Sequence, residues 1–385
     1  MPSSHPTAIT AGQPSPNDGA DSKEAGSQNP GPIAPGPQNP GSQNPGPLAP
    51  GPLTPGPIES PSGRTPYQLD RDRIIHCKAF RRLAHKTQVF VATSSDHFRS
   101  RLTHTLEVSQ VARTLARGFS LNEDLAEAIS LGHDLGHTPF GHTGEKVLNR
   151  LIPGGFNHQD QSVRVVTKLA NNGSGLNLST EVIDGIGKHS KGGGPVFIKG
   201  PKCPLTPEGE LVRASDLIAY LAHDLEDALE SNLLTVSDIP LKIRSIFGPS
   251  AFDRVKVMVQ DLIANSQLTQ NGYEFSFSPA MHEAMTLLRV FLSQEVYRNP
   301  NLVNQLQFCV ECLKYIFKSL THNQKLFDGL PNRHLADDPF QAIRDFIAGM
   351  TDRYAISYAQ SISKSSPFAR PKDLEFDDYP SVFDY

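Results

Sequence analysis

The sequence lacks several features that would place it in a common class of protein. Its 36 basic and 40 acidic residues leave a net charge of −4, so the basic excess typical of duplex-binding proteins is missing. No apolar run approaches the ~18 residues of a membrane helix, and the N-terminus has neither the charged nor the apolar region of a signal peptide. We therefore expect a cytoplasmic protein with no membrane partner. Nucleic acid is a poor candidate ligand, although a local basic pocket for a small polyphosphate is compatible with this charge.

Cysteine is also scarce. Four cysteines fit a reducing compartment, and two of them, Cys309 and Cys312, form a C-x-x-C motif within an apolar pattern of helical period. A zinc site would need two further ligands at matching spacing. Because none is evident in the sequence, the motif predicts thiols on a helix.

Proline and glycine are concentrated at one end of the chain. The first 62 residues hold 16 of the 32 prolines and 9 of the 30 glycines. Glycine recurs every fifth position from Gly26 to Gly56, which excludes collagen because its triple helix needs glycine at every third residue. With few large apolar residues, this segment cannot offset its ordering entropy. We predict a disordered, partly polyproline-II arm; a docking ligand built on its P-x-x-P spacings is the alternative.

Histidine is concentrated in the middle of the remaining chain. Ten of the 14 histidines lie within the 148 residues from His76 to His223. The same stretch has helical periodicity: an apolar pattern stops at Gly118, Asn122 can cap the next helix, and Pro207 suits a first helical position. No comparably long alternating pattern predicts a sheet. We therefore expect imidazole chemistry on a helical scaffold.

A histidine and an aspartate are adjacent at His133 and Asp134, just before a glycine-rich turn. Neighbouring side chains on a regular helix point about 100° apart, so the two can share a metal only where the backbone turns. Imidazole with carboxylate suits Mn²⁺, Fe²⁺ or Co²⁺, or Mg²⁺ with a weaker preference for histidine. Two ligands are too few, and His104 and Asp216 are the best further candidates. The four would leave two coordination positions for water and a substrate oxygen, as metal-assisted hydrolysis requires.

The predicted helix that contains Asp216 carries a polar stripe. Five residues lie at offsets that share one helical face: Asp216, Tyr220, His223, Asp224 and Asp227. A solvated acidic face is the simpler interpretation. Because leucine and isoleucine cover the other sides, a buried helix is favoured, and the stripe is predicted to be the wall of a pocket.

Six blocks of the sequence resemble the deoxyguanosinetriphosphate triphosphohydrolase-like branch of the HD-domain phosphohydrolases. They are RTPYQLDRDRIIHCKAFRRLAHKTQVF (64–90), RLTHTLEV (101–108), HDLGHTPFGHTGE (133–145), FNHQDQS (156–162), ASDLIAYLAHDLED (214–227) and DFIAGMTDRYA (345–355). The resemblance implies an all-α fold, with an HD-domain helical phosphohydrolase core and additional C-terminal helices. The implied reaction cuts dGTP or another dNTP at the α-phosphate, giving a deoxynucleoside and inorganic triphosphate. The implied cofactor is a divalent cation: Mg²⁺, Mn²⁺, Co²⁺ or Fe²⁺.

The resemblance also assigns roles to single residues. The metal ligands would be His104, His133, Asp134 and Asp216. The matching catalytic residues are His142, Glu145 and His158; independently of the resemblance, a carboxylate one helical turn from an imidazole can orient it and raise its basicity. The matching substrate contacts are Arg101 and His137 at the α-phosphate, and Gln88, Tyr220 and Asp224 on the sugar side.

Three positions are left open. For His189, a structural role that caps a loop and a role in substrate binding are about equally supported. Leu217 stands where the resembled relatives have a phosphate-binding lysine, which leaves affinity for the triphosphate undecided. Asp352 lies in a family block, but no role follows for it from the sequence.

The predicted organisation has four segments: an arm (1–62), the HD-domain core (63–235), a C-terminal helical region that completes the fold and an oligomer interface (236–364), and an acidic-aromatic tail (365–385). Long amphipathic helices are expected over 281–296, 302–320 and 340–362. The resemblance implies a homo-oligomer, commonly a hexamer, which a dNTP at a second site sometimes activates. Two alternatives to the implied function remain: another HD phosphohydrolase, such as a 5′-nucleotidase or alarmone hydrolase, and a dNTP-binding regulator.

Overall fold

Helices make up nearly all the regular structure in residues 63–89, 99–190, 194–270 and 272–363, which are the residues that the computed structural model describes. The predicted all-α fold class is therefore confirmed. The arm predicted over 1–62 and the tail predicted over 365–385 lie outside the described residues.

In chain order the helices are α1 (Pro66–His76), α2 (Lys78–Arg82), α3 (Arg101–Gly118), α4 (Glu123–Gly132), α5 (Gly141–Leu151), α6 (His158–Arg164), α7 (Ala170–Gly173), α8 (Thr180–Lys188), α9 (Pro207–Glu230), α10 (Leu241–Phe247), α11 (Ala251–Asn265), α12 (Pro279–Phe291), α13 (Pro300–His322), α14 (Gln324–Asp328), α15 (Pro339–Ala348) and α16 (Asp352–Ile362).

Local capping explains where the helices around the site begin. The Asn122 side chain accepts a hydrogen bond from Leu125 N and so caps α4, as predicted. Thr206 caps α9 in the same way, and Pro207 occupies the first helical position, where a missing N–H costs nothing. The end of α3 at Gly118 also agrees with the prediction.

The prediction of one helix over 340–362 is wrong. The chain forms α15 and α16 instead, with a break at 349–351. Gly349 ends the first helix, and the Thr351 side chain caps the second by accepting a hydrogen bond from Tyr354 N. The break matters because it places Asp352 at the start of a helix, with its side chain buried.

A short antiparallel hairpin, β1 (Gln267–Thr269) and β2 (Gly272–Glu274), was not predicted. Three residues per strand are too few to produce a visible alternation of apolar and polar residues. On α13, Cys309 and Cys312 are buried thiols that are not joined in a disulfide, in agreement with the predicted thiols on a helix. None of the described helices is both long and apolar enough to cross a membrane.

The core that carries the site is built from α3, α4, α8 and α9. Helix α3 packs against α4 and α9, and α4 packs against α8. The contact between α4 and α8 is close because Gly185 has no side chain: a Cβ there would lie 2.6 Å from Ile129 Cδ1. From the C-terminal half, α13 packs against both α5 and α16. The C-terminal helices therefore reach the elements that carry the histidines.

Candidate active site

The turn between α4 and α5 carries His133, Asp134 and His137. It lies so close to α6 that a Cβ on Gly136 would fall 2.1 Å from the backbone N of Ser162. The Ser162 hydroxyl accepts a hydrogen bond from Gly136 N and donates one to the carbonyl oxygen of His133. The predicted glycine-rich turn thus has a physical reason: only a residue without a side chain lets the turn approach α6 this closely.

Two buried side chains tie this turn to distant parts of the chain. Asp352 accepts hydrogen bonds from the backbone N of Phe140 and of Thr87, both at 2.8 Å. Lys86 donates through Nζ to the carbonyl oxygens of Ala348, at 2.8 Å, and of His137. Asp352 therefore has a structural explanation that sequence reasoning did not provide. The only sequence signal for either residue was its place in a family block, 345–355 for Asp352 and 64–90 for Lys86.

The four predicted metal ligands come together. The ligand atoms of His104, His133 and Asp134 all lie within 4.8 Å of one another. His104 Nε2 lies 3.1 Å from Asp216 Oδ1, and His133 Nε2 lies 3.4 Å from Asp134 Oδ2. Two helices, α3 and α9, and the turn after α4 supply these side chains, so the cluster exists only in the folded chain.

The donor set fits a divalent cation. His133 Nδ1 donates to the carbonyl oxygen of Ser130 at 2.6 Å. His133 Nε2 is buried and has no hydrogen-bond partner among the described residues. Metal-ligating histidines characteristically donate their second ring N–H to a carbonyl or carboxylate in this way, which leaves the other nitrogen for the ion. A cation at this position would also satisfy a nitrogen whose burial is otherwise unfavourable.

Both carboxylates of the cluster stay ionised. Burial by itself would raise the pKa of Asp134, but the charges of His133 and Arg101 hold that pKa well below its usual range. The Arg101 guanidinium contacts Asp134 directly, with Nη1 2.5 Å from Oδ2. Burial likewise opposes the ionisation of Asp216, but the hydrogen bond from His104 lowers its pKa. Two ionised carboxylates among imidazoles form an oxygen and nitrogen donor set that suits Mn²⁺, Fe²⁺, Co²⁺ or Mg²⁺.

The predicted catalytic residues form an adjoining group. Glu145 Oε1 accepts hydrogen bonds from both the backbone N and the Nδ1 of His158, each at 2.8 Å. His142 Nδ1 lies 3.4 Å from the other oxygen, Oε2, and its side chain is 59% exposed. The ring of His137 stacks on His158 at a centroid distance of 4.2 Å. Burial and the Arg101 charge hold the pKa of His137 well below its usual range, so this ring is neutral.

His189 also belongs to this group. Its Nε2 lies 3.1 Å from His158 Nε2, and its Nδ1 donates to the carbonyl oxygen of Ile186 at 2.8 Å. Its ring meets the ring of His133 edge to face at 4.9 Å. Both roles that the sequence left open fit this position: the ring caps the C-terminal end of α8 through the carbonyl oxygen of Ile186, and it is buried among the site histidines.

A cavity of about 820 Å³ connects these groups. Its size is within the range of pockets for small-molecule ligands. All the predicted site residues except His133 line it: Gln88, Arg101, His104, Asp134, His137, His142, Glu145, His158, Asp216, Tyr220 and Asp224. Leu217 lines it too. On the wall formed by α9, the Tyr297 hydroxyl donates to Asp224 Oδ2 at 2.5 Å.

The prediction that the whole polar stripe of α9 faces the pocket is only partly right. Asp216, Tyr220 and Asp224 line the cavity, but His223 and Asp227 turn toward α3. His223 Nδ1 lies 2.8 Å from Glu107 Oε2, and Asp227 pairs with Arg99. The side of α9 that faces the cavity also carries Leu217. The neighbouring side, which carries His223 and Asp227, packs against the N-terminal part of α3.

Sequence reasoning missed most of the positive charge in the cavity. Beyond Arg101, four basic side chains line it: Lys146, Arg213, Arg289 and Arg298. They come from α5, α9, α12 and the segment before α13. Each is an ordinary polar position of an amphipathic segment, so nothing in the local sequence distinguishes it from a surface residue.

The sequence and fold were compared with family models, with curated proteins and with solved structures. The model of the HD domain matches residues 101–221, and that of the phosphohydrolase-associated domain matches residues 275–361. A deoxyguanosinetriphosphate triphosphohydrolase-like protein of Caldanaerobacter subterraneus subsp. tengcongensis is 47% identical over 79% of this chain and 87% of its own length. A protein of the same description from Desulfatibacillum aliphaticivorans is 45% identical over 79% of this chain and 89% of its own length. Among solved structures, a hypothetical protein from Aquifex aeolicus covers 78% of this chain and 69% of its own, at 20% identity and a TM-score of 0.47.

Proposed function

Since the chain belongs to the deoxyguanosinetriphosphate triphosphohydrolase-like family of HD-domain proteins, we propose that it hydrolyses dNTPs, dGTP among them, with a divalent cation. The proposed cleavage is at the α-phosphate and releases a deoxynucleoside and inorganic triphosphate. A cation held by His104, His133, Asp134 and Asp216 would act there as a Lewis acid toward a phosphate oxygen and would make water more acidic.

One observation carries the proposal: the buried polar groups around Asp134 that lack partners. Within the described residues, Arg101 Nε and Nη2 and both ring nitrogens of His137 have no hydrogen-bond partner. Arg101 and His137 are also almost fully buried. Leaving such groups unsatisfied costs about 1–3 kcal/mol each. A phosphate ester bound in the cavity offers acceptors for the Arg101 N–H groups and for the single N–H of the neutral His137 ring.

Each side chain then has a role that fits its contacts. Arg101 keeps Nη1 on Asp134 and directs its remaining donors at the phosphate, and the fork of a guanidinium matches phosphate oxygens well. His137 and His158 would stabilise the charge that develops on those oxygens. His142, oriented by Glu145, would transfer the proton of the nucleophile or of the leaving group.

The spacing along α9 suits a nucleotide. Asp216, Tyr220 and Asp224 follow one another by about one turn, so Asp224 lies roughly 12 Å along the helix axis from the predicted metal ligand. Gln88, which also lines the cavity, has a buried Oε1 with no partner among the described residues. A nucleotide whose phosphates lie at the histidine cluster would therefore extend its sugar hydroxyl toward Gln88, Tyr220 and Asp224.

Product analysis tests the proposal. The full chain should convert dGTP to deoxyguanosine and intact triphosphate in the presence of Mg²⁺, Mn²⁺ or Co²⁺. Release of only orthophosphate or pyrophosphate would contradict triphosphohydrolase activity. It would indicate that the protein is a different HD phosphohydrolase. A panel of dNTPs, nucleoside monophosphates and alarmones distinguishes these activities, and binding of dNTP without turnover would indicate a regulator.

Assembly and activation belong to the same proposal. We expect a homo-oligomer, with a hexamer as the leading form, and activation by a dNTP at a second site. Light scattering of the full chain with and without dNTP tests the first expectation. Turnover of each dNTP, measured with and without a second, non-substrate nucleotide, tests the other.

A further inference from the structure

Arg213 is a buried arginine in the wall of the cavity. It lies on α9, one turn before Asp216, and its side chain lines the same cavity as the histidine cluster. The residue is 5% exposed. Burial lowers the pKa of its guanidinium, so its surroundings stabilise the positive charge less well than water does.

The guanidinium of Arg213 is only partly satisfied. Its Nη1 and Nη2 donate to the carbonyl oxygens of Lys188, at 3.4 Å, and of Pro195, at 3.3 Å. Both distances are longer than the ~2.7–3.2 Å of an ordinary hydrogen bond. Its Nε is buried and has no hydrogen-bond partner among the described residues. The charge of Glu210, one turn earlier on α9, acts on it only from beyond the distance of an ion pair.

An anion in the cavity would complete this site. Arginine is almost never fully buried unless its charge is paired. A bound anion would supply both the opposite charge and the acceptor that Nε lacks. Because the planar fork of a guanidinium matches the oxygens of a phosphate, a phosphate group is the ligand chemistry that fits best.

The order of residues along α9 gives a bound nucleotide a direction. Arg213 precedes Asp216 by about 4.5 Å along the helix axis, whereas Tyr220 and Asp224 follow it. All four line the cavity, together with Leu217, which brings no charge. A nucleotide with its α-phosphate at the predicted metal ligands and its sugar toward Asp224 therefore extends its other phosphates toward Arg213.

The other basic side chains of the cavity come from other walls. Arg289, on α12, lies beside the Tyr220 hydroxyl, which is the side proposed for the sugar. Lys146 lies on α5, where burial and the charges of Arg150 and Arg298 lower its pKa to about 8. Lys146 is therefore the competing candidate for the phosphates, on the wall opposite to the sequence of residues along α9.

We propose that Arg213 binds the β- or γ-phosphate of the substrate and so makes the site prefer a triphosphate to a monophosphate. The inference rests on the proposed function, because it places the α-phosphate at the predicted metal ligands. Nε and the unused N–H groups of Nη1 and Nη2 would donate to the oxygens of that phosphate. A monophosphate held at Arg101 would not reach them.

Calorimetric titration of the full chain in excess Mg²⁺ tests the proposal without turnover. The probes are inorganic triphosphate, which is long enough to contact both Arg101 and Arg213, and orthophosphate, which is not. Arg213→Gln should weaken the binding of triphosphate by at least about tenfold, because hydrogen bonds between charged groups are lost. It should leave the binding of orthophosphate unchanged. Arg213→Lys keeps the charge and should bind triphosphate more tightly than Arg213→Gln.

Arg254→Gln is the matched control. Arg254 is 1% exposed, and its guanidinium also donates to two carbonyl oxygens, those of Ala222 and Pro249, but it does not line the cavity. This variant should bind triphosphate as the wild type does. Partial unfolding of any variant lowers the number of sites for both probes equally, so the ratio of the two affinities still reports the contact.

Three results would overturn the proposal: no binding of triphosphate by the wild type, an unchanged ratio of affinities in Arg213→Gln, or a loss of triphosphate binding in Lys146→Gln in place of Arg213→Gln. The last result would mean that the phosphates extend toward α5. Because neither probe contains a deoxynucleoside, each result is independent of whether dNTPs are hydrolysed. Failure of the proposed function would instead appear in the product analysis with dGTP.

Discussion

Glu145 holds His158 through a single oxygen: Oε1 accepts hydrogen bonds from both the backbone N and the Nδ1 of that residue, each at 2.8 Å. Its other oxygen, Oε2, faces His142 Nδ1 at 3.4 Å. One carboxylate therefore orients two of the predicted catalytic imidazoles, and its replacement tests both roles together.

Glu145→Gln should lower kcat by about 100-fold or more, because general acid–base catalysis contributes typically 10²–10⁴-fold. The amide keeps an acceptor for His158 N but loses the charge that stabilises a protonated imidazole. KM for dGTP should change much less than kcat. Glu123→Gln, in an exposed ion pair with Arg117, is the control and should leave both constants unchanged. A normal kcat in Glu145→Gln would refute the orienting role.

Asp216→Asn should weaken Mn²⁺ binding by the predicted metal ligands by at least about 100-fold, because loss of even a residue that only orients a ligand costs 10–100-fold. Its side chain is 26% exposed, so the fold should tolerate the change. Asp72→Asn, whose side chain is 25% exposed and lies away from the cavity, is the control. Equal Mn²⁺ affinity of the two variants would exclude Asp216 as a ligand.

Asp134→Ala is expected to behave differently, because it should also destabilise the fold. Arg101 is 1% exposed and pairs with Asp134. Removing one partner of a buried ion pair costs about 3–5 kcal/mol, since it leaves an uncompensated charge. Chemical denaturation of the metal-free variants should therefore show a much larger loss for Asp134→Ala than for Asp216→Asn.

Asp352→Ala should lower the free energy of unfolding by about 2–5 kcal/mol. It leaves the buried amides of Thr87 and Phe140 without an acceptor, and each unsatisfied group costs about 1–3 kcal/mol. Asp328→Ala, which removes an exposed pair with Arg333, should cost no more than about 1 kcal/mol. Urea denaturation compares the two, and similar losses would show that Asp352 does not hold the turn.

The buried carboxyl of Asp224 should make the free energy of unfolding depend on pH. Burial raises its pKa to about 7, far above that of an exposed carboxyl. Between about pH 4 and pH 7 the folded chain therefore binds more protons at this group than the unfolded chain, so its contribution to stability falls as pH rises. Asp224→Asn removes this dependence. The free energy of unfolding of the variant, taken relative to that of wild type, should therefore be higher at pH 8 than at pH 4 by up to about 4 kcal/mol. Denaturation at the two pH values measures the gain, which a constant difference would contradict.

Leu217→Lys should lower KM for dGTP by about tenfold, because a hydrogen bond to a charged group contributes about 1.5–3 kcal/mol. Leu217 is 5% exposed and lines the cavity next to Asp216. Leu217→Met, which adds no charge, is the control. Equal KM values in the two variants would show that the basic side chains already in the cavity are sufficient to bind the triphosphate of dGTP.

The helices near the site were predictable because their ends depend on neighbouring residues. The cap at Asn122, the proline at the start of α9 and the glycine at the end of α3 are all local features. The break between α15 and α16 was not predicted, since the apolar pattern runs through it. Helical periodicity put His223 and Asp227 on the same face as Asp216, but periodicity does not determine which neighbour covers each part of that face.

The sequence by itself determined the all-α class, the family, and the set of histidines and carboxylates that can hold a cation, because the adjacent His133 and Asp134 and the spacing around them are local. The tertiary structure alone decided which of these groups meet. It set His189 against His158, brought Lys86 and Asp352 to the turn, and added basic side chains from α5, α9, α12 and the segment before α13 to the cavity. These contacts join residues up to 265 positions apart, and no local pattern encodes the packing of helices so distant along the chain.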